Sequence, residues 1–108
     1  NLMASRSQAQ LAAQIQRSAA QALAGEVLST LTTVTRSTIS PDARHATVFL
    51  AGWQELKPDE QARVRGIIIE AVVRDSTAKY TPRIELVHDD ALEHASRIQN
   101  LLRDDTAV

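Results

Sequence analysis

Ten of the twelve basic residues in this 108-residue chain are arginines. Arginine's planar fork can hold a phosphate through two parallel hydrogen bonds or stack on a base, which the compact lysine ammonium does not do. Arg63 and Arg65 flank Gly66. A glycine inside a helix costs about 1 kcal/mol relative to alanine, so its presence suggests a bend or a close backbone approach. If the bend is sharp, the segment after it starts with unpaired amide donors, and those donors beside two arginines make an anion site. Arg74, Lys79 and Arg83 follow along the same stretch, while Arg36 and Arg44 bracket a turn. The competing reading is ordinary solvated charge, with some arginines paired to Glu70 or Asp75 and Arg44 paired locally to Asp42.

Other chemistry is sparse. His88, Asp89, Asp90 and His94 cluster in sequence, but a zinc site needs at least three placed ligands with supporting contacts. The expectation is a capping aspartate and a surface histidine, with no metal and no cofactor. No phosphate-binding glycine loop, dinucleotide fingerprint, nucleophile elbow or zincin motif occurs, and no spacing ties Ser, His and Asp into a triad. An enzyme is not expected. With no cysteine and three aromatics in all, Phe49, Trp53 and Tyr80, thiol chemistry and a broad base-stacking platform are both out of reach.

These residues must be held by one small domain. Apolar residues make up 44% of the chain and charged residues 23%, which suits a single core. The longest wholly apolar run, Ile67-Ile68-Ile69, ends at Glu70, far short of the roughly 20 residues that span a bilayer. The formal charge is −1, yet residues 89–108 hold five acids and two arginines, leaving ten basic and eight acidic residues before them. The body is slightly positive and the tail acidic. Weak overall attraction means that any polyanion must be held by a shaped local site. The chain opens on Asn1 and reads as a processed or trimmed segment.

Residues 1–6 lack periodicity and are expected to be disordered. Leu11, Ile15, Ala19, Ala22, Leu23 and Val27 then recur at helical spacing, giving a first amphipathic helix that ends by Leu28 to Thr30. Leu31 to Ile39 is dense in β-branched residues and reads as a strand. Ser40-Pro41-Asp42-Ala43-Arg44 carries turn chemistry, and His45 to Trp53 alternates as a second strand, antiparallel to the first. Lys57-Pro58-Asp59-Glu60 starts a helix running toward Arg74 and broken at Gly66. Asp75 to Pro82 is a polar connection, and Arg83 to Val87 forms a third strand with Ile84 and Leu86 inward. Asp89 or Asp90 caps a short last helix carrying Leu92, Ala95, Ile98, Leu101 and Leu102 on one stripe. This order predicts an α+β sandwich whose helices cover one face of a three-stranded sheet and leave the other wet.

Thr33-Val34-Thr35, followed by Ile39-Ser40-Pro41-Asp42-Ala43-Arg44-His45-Ala46-Thr47-Val48-Phe49-Leu50, resembles the ribosome-binding factor A family. Gln14-Ile15-Gln16-Arg17, Gly66, Tyr80-Thr81-Pro82-Arg83-Ile84-Glu85-Leu86 and Asp89-Asp90-Ala91-Leu92-Glu93, with Arg97-Ile98 and Leu101-Leu102, agree in order. The resemblance covers nearly everything from about Ser5 to Asp104. It implies a type II KH-like fold, α-β-β-α-kink-α-β plus a short C-terminal helix, over residues 7–103, with residues 104–108 as an acidic tail. In the family a helix-kink-helix marked Ala-x-Gly replaces the glycine loop of ordinary KH domains. Here the motif reads Val64-Arg65-Gly66, and the loop after the first helix is shorter than usual, only Leu28-Ser29-Thr30.

The resemblance further implies a non-enzymatic factor that binds the immature small ribosomal subunit and its rRNA and assists maturation. A monomer acting in the bacterial cytoplasm is expected, with a mitochondrial or plastid matrix as the other settings. Neighbouring ribosomal proteins are further expected partners, and a membrane is not. The expected RNA-contacting residues are Arg63, Arg65, Gly66, Arg74, Lys79, Arg83, Arg36 and Arg44. The other reading is a KH-like protein-interaction module, without direct RNA binding, that docks through its wet sheet face or acidic last helix.

Overall fold

The computed structural model describes residues 2–76 and 80–106. Its first helix, α1, runs from Leu2 to Ala24. It therefore begins before residue 7, where the sequence predicts order to start. Leu2, Met3, Ala4 and Arg6 are good helix formers with no glycine or proline among them, so a missing apolar stripe does not prevent helix there. Farther along, Ile15, Ala19 and Leu23 are buried at i, i+4 and i+8, forming the face turned to the sheet.

Strands β1, Thr33–Ile39, and β2, His45–Ala51, form the expected antiparallel hairpin. Its turn places Ala43 in the left-handed region at φ 60 and is pinned by Ala43 N–H donating to the Ser40 carbonyl at 2.9 Å. A bulge at Thr35 shifts the register between Val34 and Arg36, so Thr35 is unpaired and its hydroxyl turns to the Phe49 carbonyl and to Asp89. In β2 the alternation holds: Ala46, Val48 and Leu50 are buried while the residues between them are not. Gly52 then turns the chain with φ +80, where a Cβ would stand 2.3 Å from the Leu31 carbonyl oxygen. This is a position for glycine on both counts.

A 3-10 turn, Trp53–Glu55, leads into α2, Pro58–Asp75. Glu60 reaches back to accept the Lys57 N–H at 3.2 Å, satisfying a donor at the helix start. Its other contacts, the Ser29 N–H at 2.8 Å and the Ser29 hydroxyl at 2.6 Å, tie the α1–β1 connection to α2. The same contacts hold the Glu60 carboxyl below its ordinary pKa, the Ser29 hydroxyl foremost. Val64, Ile68 and Val72 form the buried stripe.

Helix α2 is unbroken from Pro58 to Asp75, which corrects the expected kink at Gly66. That glycine lies on the exposed side, and a Cβ there would meet nothing within 4 Å. Glycine keeps its backbone donor, so its cost of about 1 kcal/mol is far too small to break a helix that buries three aliphatic side chains, each worth roughly 1.5–3 kcal/mol.

Strand β3, Arg83–His88, returns parallel to β2, giving the order β1-β2-β3 with β2 central. Side chains of α1, β2, α2 and β3 meet in one core against one sheet face, as the sequence predicts. The last helix, α3, spans Ala91–Thr106, so it is longer than expected and takes in Asp104 and Asp105. Asp89 accepts the Ala91 N–H at 2.9 Å and caps its first turn, as foreseen. Three helices and a three-stranded mixed sheet make this an α+β, KH-like fold.

Candidate nucleic-acid interface

Parallel pairing brings the starts of β2 and β3 side by side, with His45 opposite Arg83. The Arg83 N–H donates to the Arg44 carbonyl at 2.8 Å, so Arg44, His45 and Arg83 gather at one end of the sheet. Arg65 projects from α2 into the same region. It lines a cleft of about 470 Å³ with His45, Ala46, Arg83, Ile84, Glu85 and Leu86. Behind it lies Trp53, 7% exposed, whose ring centroid is 5.8 Å from the Arg65 guanidinium carbon, within cation–π range. Arg44, Arg65 and Arg83 are exposed and form no ion pair with a described carboxylate. Among the described residues, Glu85 is the one acidic residue lining the cleft.

The other expected arginines are engaged. Two positions from Arg65, on another side of the helix, Arg63 donates to the Val27 carbonyl at 3.1 Å and lies 3.5 Å from Glu26. Arg74 pairs with Asp75 at 3.1 Å, and that hydrogen bond raises the Arg74 pKa and lowers that of Asp75. Asp75 also accepts the buried Ser18 hydroxyl at 2.9 Å. Arg36 stacks on Phe49 at 4.0 Å to the centroid, on the sheet face away from the helices. Lys79 lies outside the described residues. Gly66 sits next to Arg65 on the exposed side of α2, within a continuous helix and without the freed amides a break would supply.

The expected local pair of Arg44 with Asp42 is not formed. Asp42 instead accepts the Ser40 hydroxyl at 2.6 Å and the Arg44 backbone N–H at 3.1 Å. The Ser40 bond is the main cause of its lowered pKa. The carboxylate thus closes the turn and leaves the Arg44 guanidinium to solvent. Sequence reasoning also missed His45 and Glu85 as cleft residues and Trp53 as the surface behind Arg65. The family-like block contains His45, but only the parallel register places it beside Arg83.

At the opposite end of the sheet, His88 Nε2 lies 3.3 Å from Glu93 and its Nδ1 accepts the Gln54 N–H at 3.4 Å. Asp89 is bound by Thr35 and the Ala91 N–H, which lower its pKa in that order. Among the described residues no group of three or more His, Asp or Glu side chains is arranged to hold a metal ion, and no helix is long and apolar enough to cross a membrane.

A basic cleft between a helix and an edge strand can take phosphate through guanidinium forks while the helix backbone stays closed. The chain is similar to known proteins. The family model for ribosome-binding factor A matches residues 7–102. The ribosome-binding factor A of Renibacterium salmoninarum is 30% identical over 76 residues, covering 66% of this chain and 52% of the relative. That of Rubrobacter xylanophilus is 38% identical over 81 residues, covering 71% and 66%. The chain thus spans little more than half the length of the first of these relatives. The crystal structure of ribosome-binding factor A from Thermus thermophilus superposes with a TM-score of 0.61 at 21% identity, covering 78% of this chain and 97% of that one.

Proposed function

The chain belongs to the ribosome-binding factor A family, and on that footing we propose that it binds the immature small ribosomal subunit through its rRNA, as a non-catalytic maturation factor. Residues 7–103 are the binding domain, and the bacterial cytoplasm is the setting. The observation that carries this reading is the meeting of Arg65 and Arg83 in one cleft, with Arg44 beside them, in a chain whose net charge is −1. General attraction to RNA is weak in such a protein, so affinity must come from the few guanidinium groups left uncompensated. Gly66 belongs to this surface because its missing side chain keeps the helix beside Arg65 low, allowing a ribose-phosphate strand to approach. Arg63 and Arg74 contribute little, their charge being offset by Glu26 and Asp75.

The test is cosedimentation with immature small subunits over a salt series. Arg65→Ala with Arg83→Ala should weaken binding at low salt and flatten the dependence of log K on log salt by roughly two units, about one per phosphate contact removed. Arg63→Ala should change neither. Equal affinity for an unrelated RNA, or wild-type behaviour of the double variant, overturns the proposal.

A further inference from the structure

The basic cleft holds one cationic group whose charge is not fixed. His45 lines it, and the parallel register sets this residue opposite Arg83. Both polar atoms of its backbone are tied to Ser40: the His45 N–H donates to the Ser40 hydroxyl at 3.0 Å, and the His45 carbonyl accepts the Ser40 N–H at 2.8 Å. The imidazole itself is exposed and forms no ion pair with a described carboxylate. His88 contrasts with it, because its two ring nitrogens face the Gln54 N–H and Glu93. His94 belongs to α3 and does not line the cleft.

We propose that His45 is a further phosphate contact beside Arg44, Arg65 and Arg83, engaging rRNA in its protonated form so that binding takes up a proton. This deepens the RNA reading above and rests on it. Among the residues lining the cleft, Arg65 and Arg83 against Glu85 leave one net positive charge, and a proton on His45 doubles it. Arginine stays charged throughout the physiological range, whereas histidine changes charge between about pH 5 and pH 8. A phosphate oxygen brought against the ring favours the charged form, and an imidazolium N–H then donates to it in a charge-assisted hydrogen bond.

The charged groups around the ring come from three elements. Strand β3 supplies Arg83 and Glu85, α2 supplies Arg65, and the turn supplies Arg44 and Asp42. Helix α1 brings uncharged Gln8, which donates to the Pro41 carbonyl of that turn. Asp42 is taken up by the Ser40 hydroxyl and the Arg44 N–H, and Glu85 is not paired with the imidazole. A proton gained by His45 therefore faces the cleft unopposed by a bound carboxylate.

The test measures binding of the full chain to immature small subunits at about pH 6 and about pH 8, each over a salt series. Wild type should bind about tenfold more tightly at the lower pH. Its slope of log K against log salt should be steeper there by about one unit, for one more phosphate neutralised. His45→Ala should bind equally at both. His45→Arg makes the charge permanent and should bind at the higher pH as wild type does at the lower. His94→Ala should keep the full response. Because His45 is exposed at the start of its strand, its variants retain the fold, which unchanged thermal midpoints verify.

A wild type indifferent to pH, whose salt slope still flattens when Arg65 and Arg83 are both replaced by Ala, overturns the histidine contact and leaves the RNA reading standing. A pH response that survives in His45→Ala does the same. Wild-type behaviour of the arginine double variant, or no binding by any form at any salt, overturns the cleft and this proposal with it.

Discussion

Two glycines with opposite surroundings give the sharpest expectations at the scale of single residues. Gly66 is helical, exposed and without a neighbour for a Cβ, so Gly66→Ala should stabilise the chain by about 0.5–1 kcal/mol. That is a rise of several degrees in thermal midpoint for a domain of this size. A fall would mean that the helix is not continuous there. Gly52→Ala forces a side chain into a left-handed position against the Leu31 carbonyl and should cost about 2 kcal/mol or more, read from urea denaturation. Glu60 adds a pH dependence. Its carboxyl titrates lower in the folded chain, so its contribution is present above the unfolded value of about 4.3 and is lost as pH falls through the folded value. Glu60→Gln should lower the urea midpoint at pH 7, and the gap from wild type should close toward pH 3. The arginine candidates were all legible in the sequence, but which of them stay uncompensated was not. Arg63 is claimed by Glu26 and Val27, which only the packing of α2 against the α1–β1 connection brings near.

At the scale of elements, periodicity located α1, β2 and β3, each of which buries a stripe or an alternating face, while β-branched density located β1 and helix-start signals located α2 and α3. The β2 pattern of Ala46, Val48 and Leu50 and the α1 stripe of Ile15, Ala19 and Leu23 were readable before any coordinates, whereas the α2 stripe of Val64, Ile68 and Val72 emerges only from the structure. The α2 kink was misjudged because glycine was weighed as a breaker when its cost is a fraction of what that stripe contributes. Ile68 is fully buried in that stripe, so Ile68→Ala should cost about 2–5 kcal/mol, the usual range for a cavity of this kind. The Thr35 bulge was invisible in sequence, since no glycine marks it. It matters because it frees the hydroxyl that holds Asp89. Asp89→Ala should therefore speed hydrogen exchange at the first amides of α3 while leaving α2 amides protected.

For the molecule as a whole, the radius of gyration of 16.5 Å exceeds the roughly 13 Å of a compact chain of this length. The extents are 58 × 38 × 18 Å. Charge partition between body and tail was legible by counting, whereas the exposure of Ile98, Leu101 and Leu102 on α3 was not, because an apolar stripe reads the same whether it meets its own core or solvent. Removing residues 91–108 should leave the thermal midpoint nearly unchanged, since none of the α3 residues whose side chains are described joins the buried core. The parallel return of β3 has one more consequence, for the order of events during synthesis. The β1–β2 hairpin pairs near neighbours, while each β3 residue meets a partner 38 positions earlier, 83 against 45. Local pairing closes first and the distant strand joins late. Because that strand supplies Arg83, the basic cleft that Arg65 lines is incomplete in a nascent chain until most of it has left the exit tunnel.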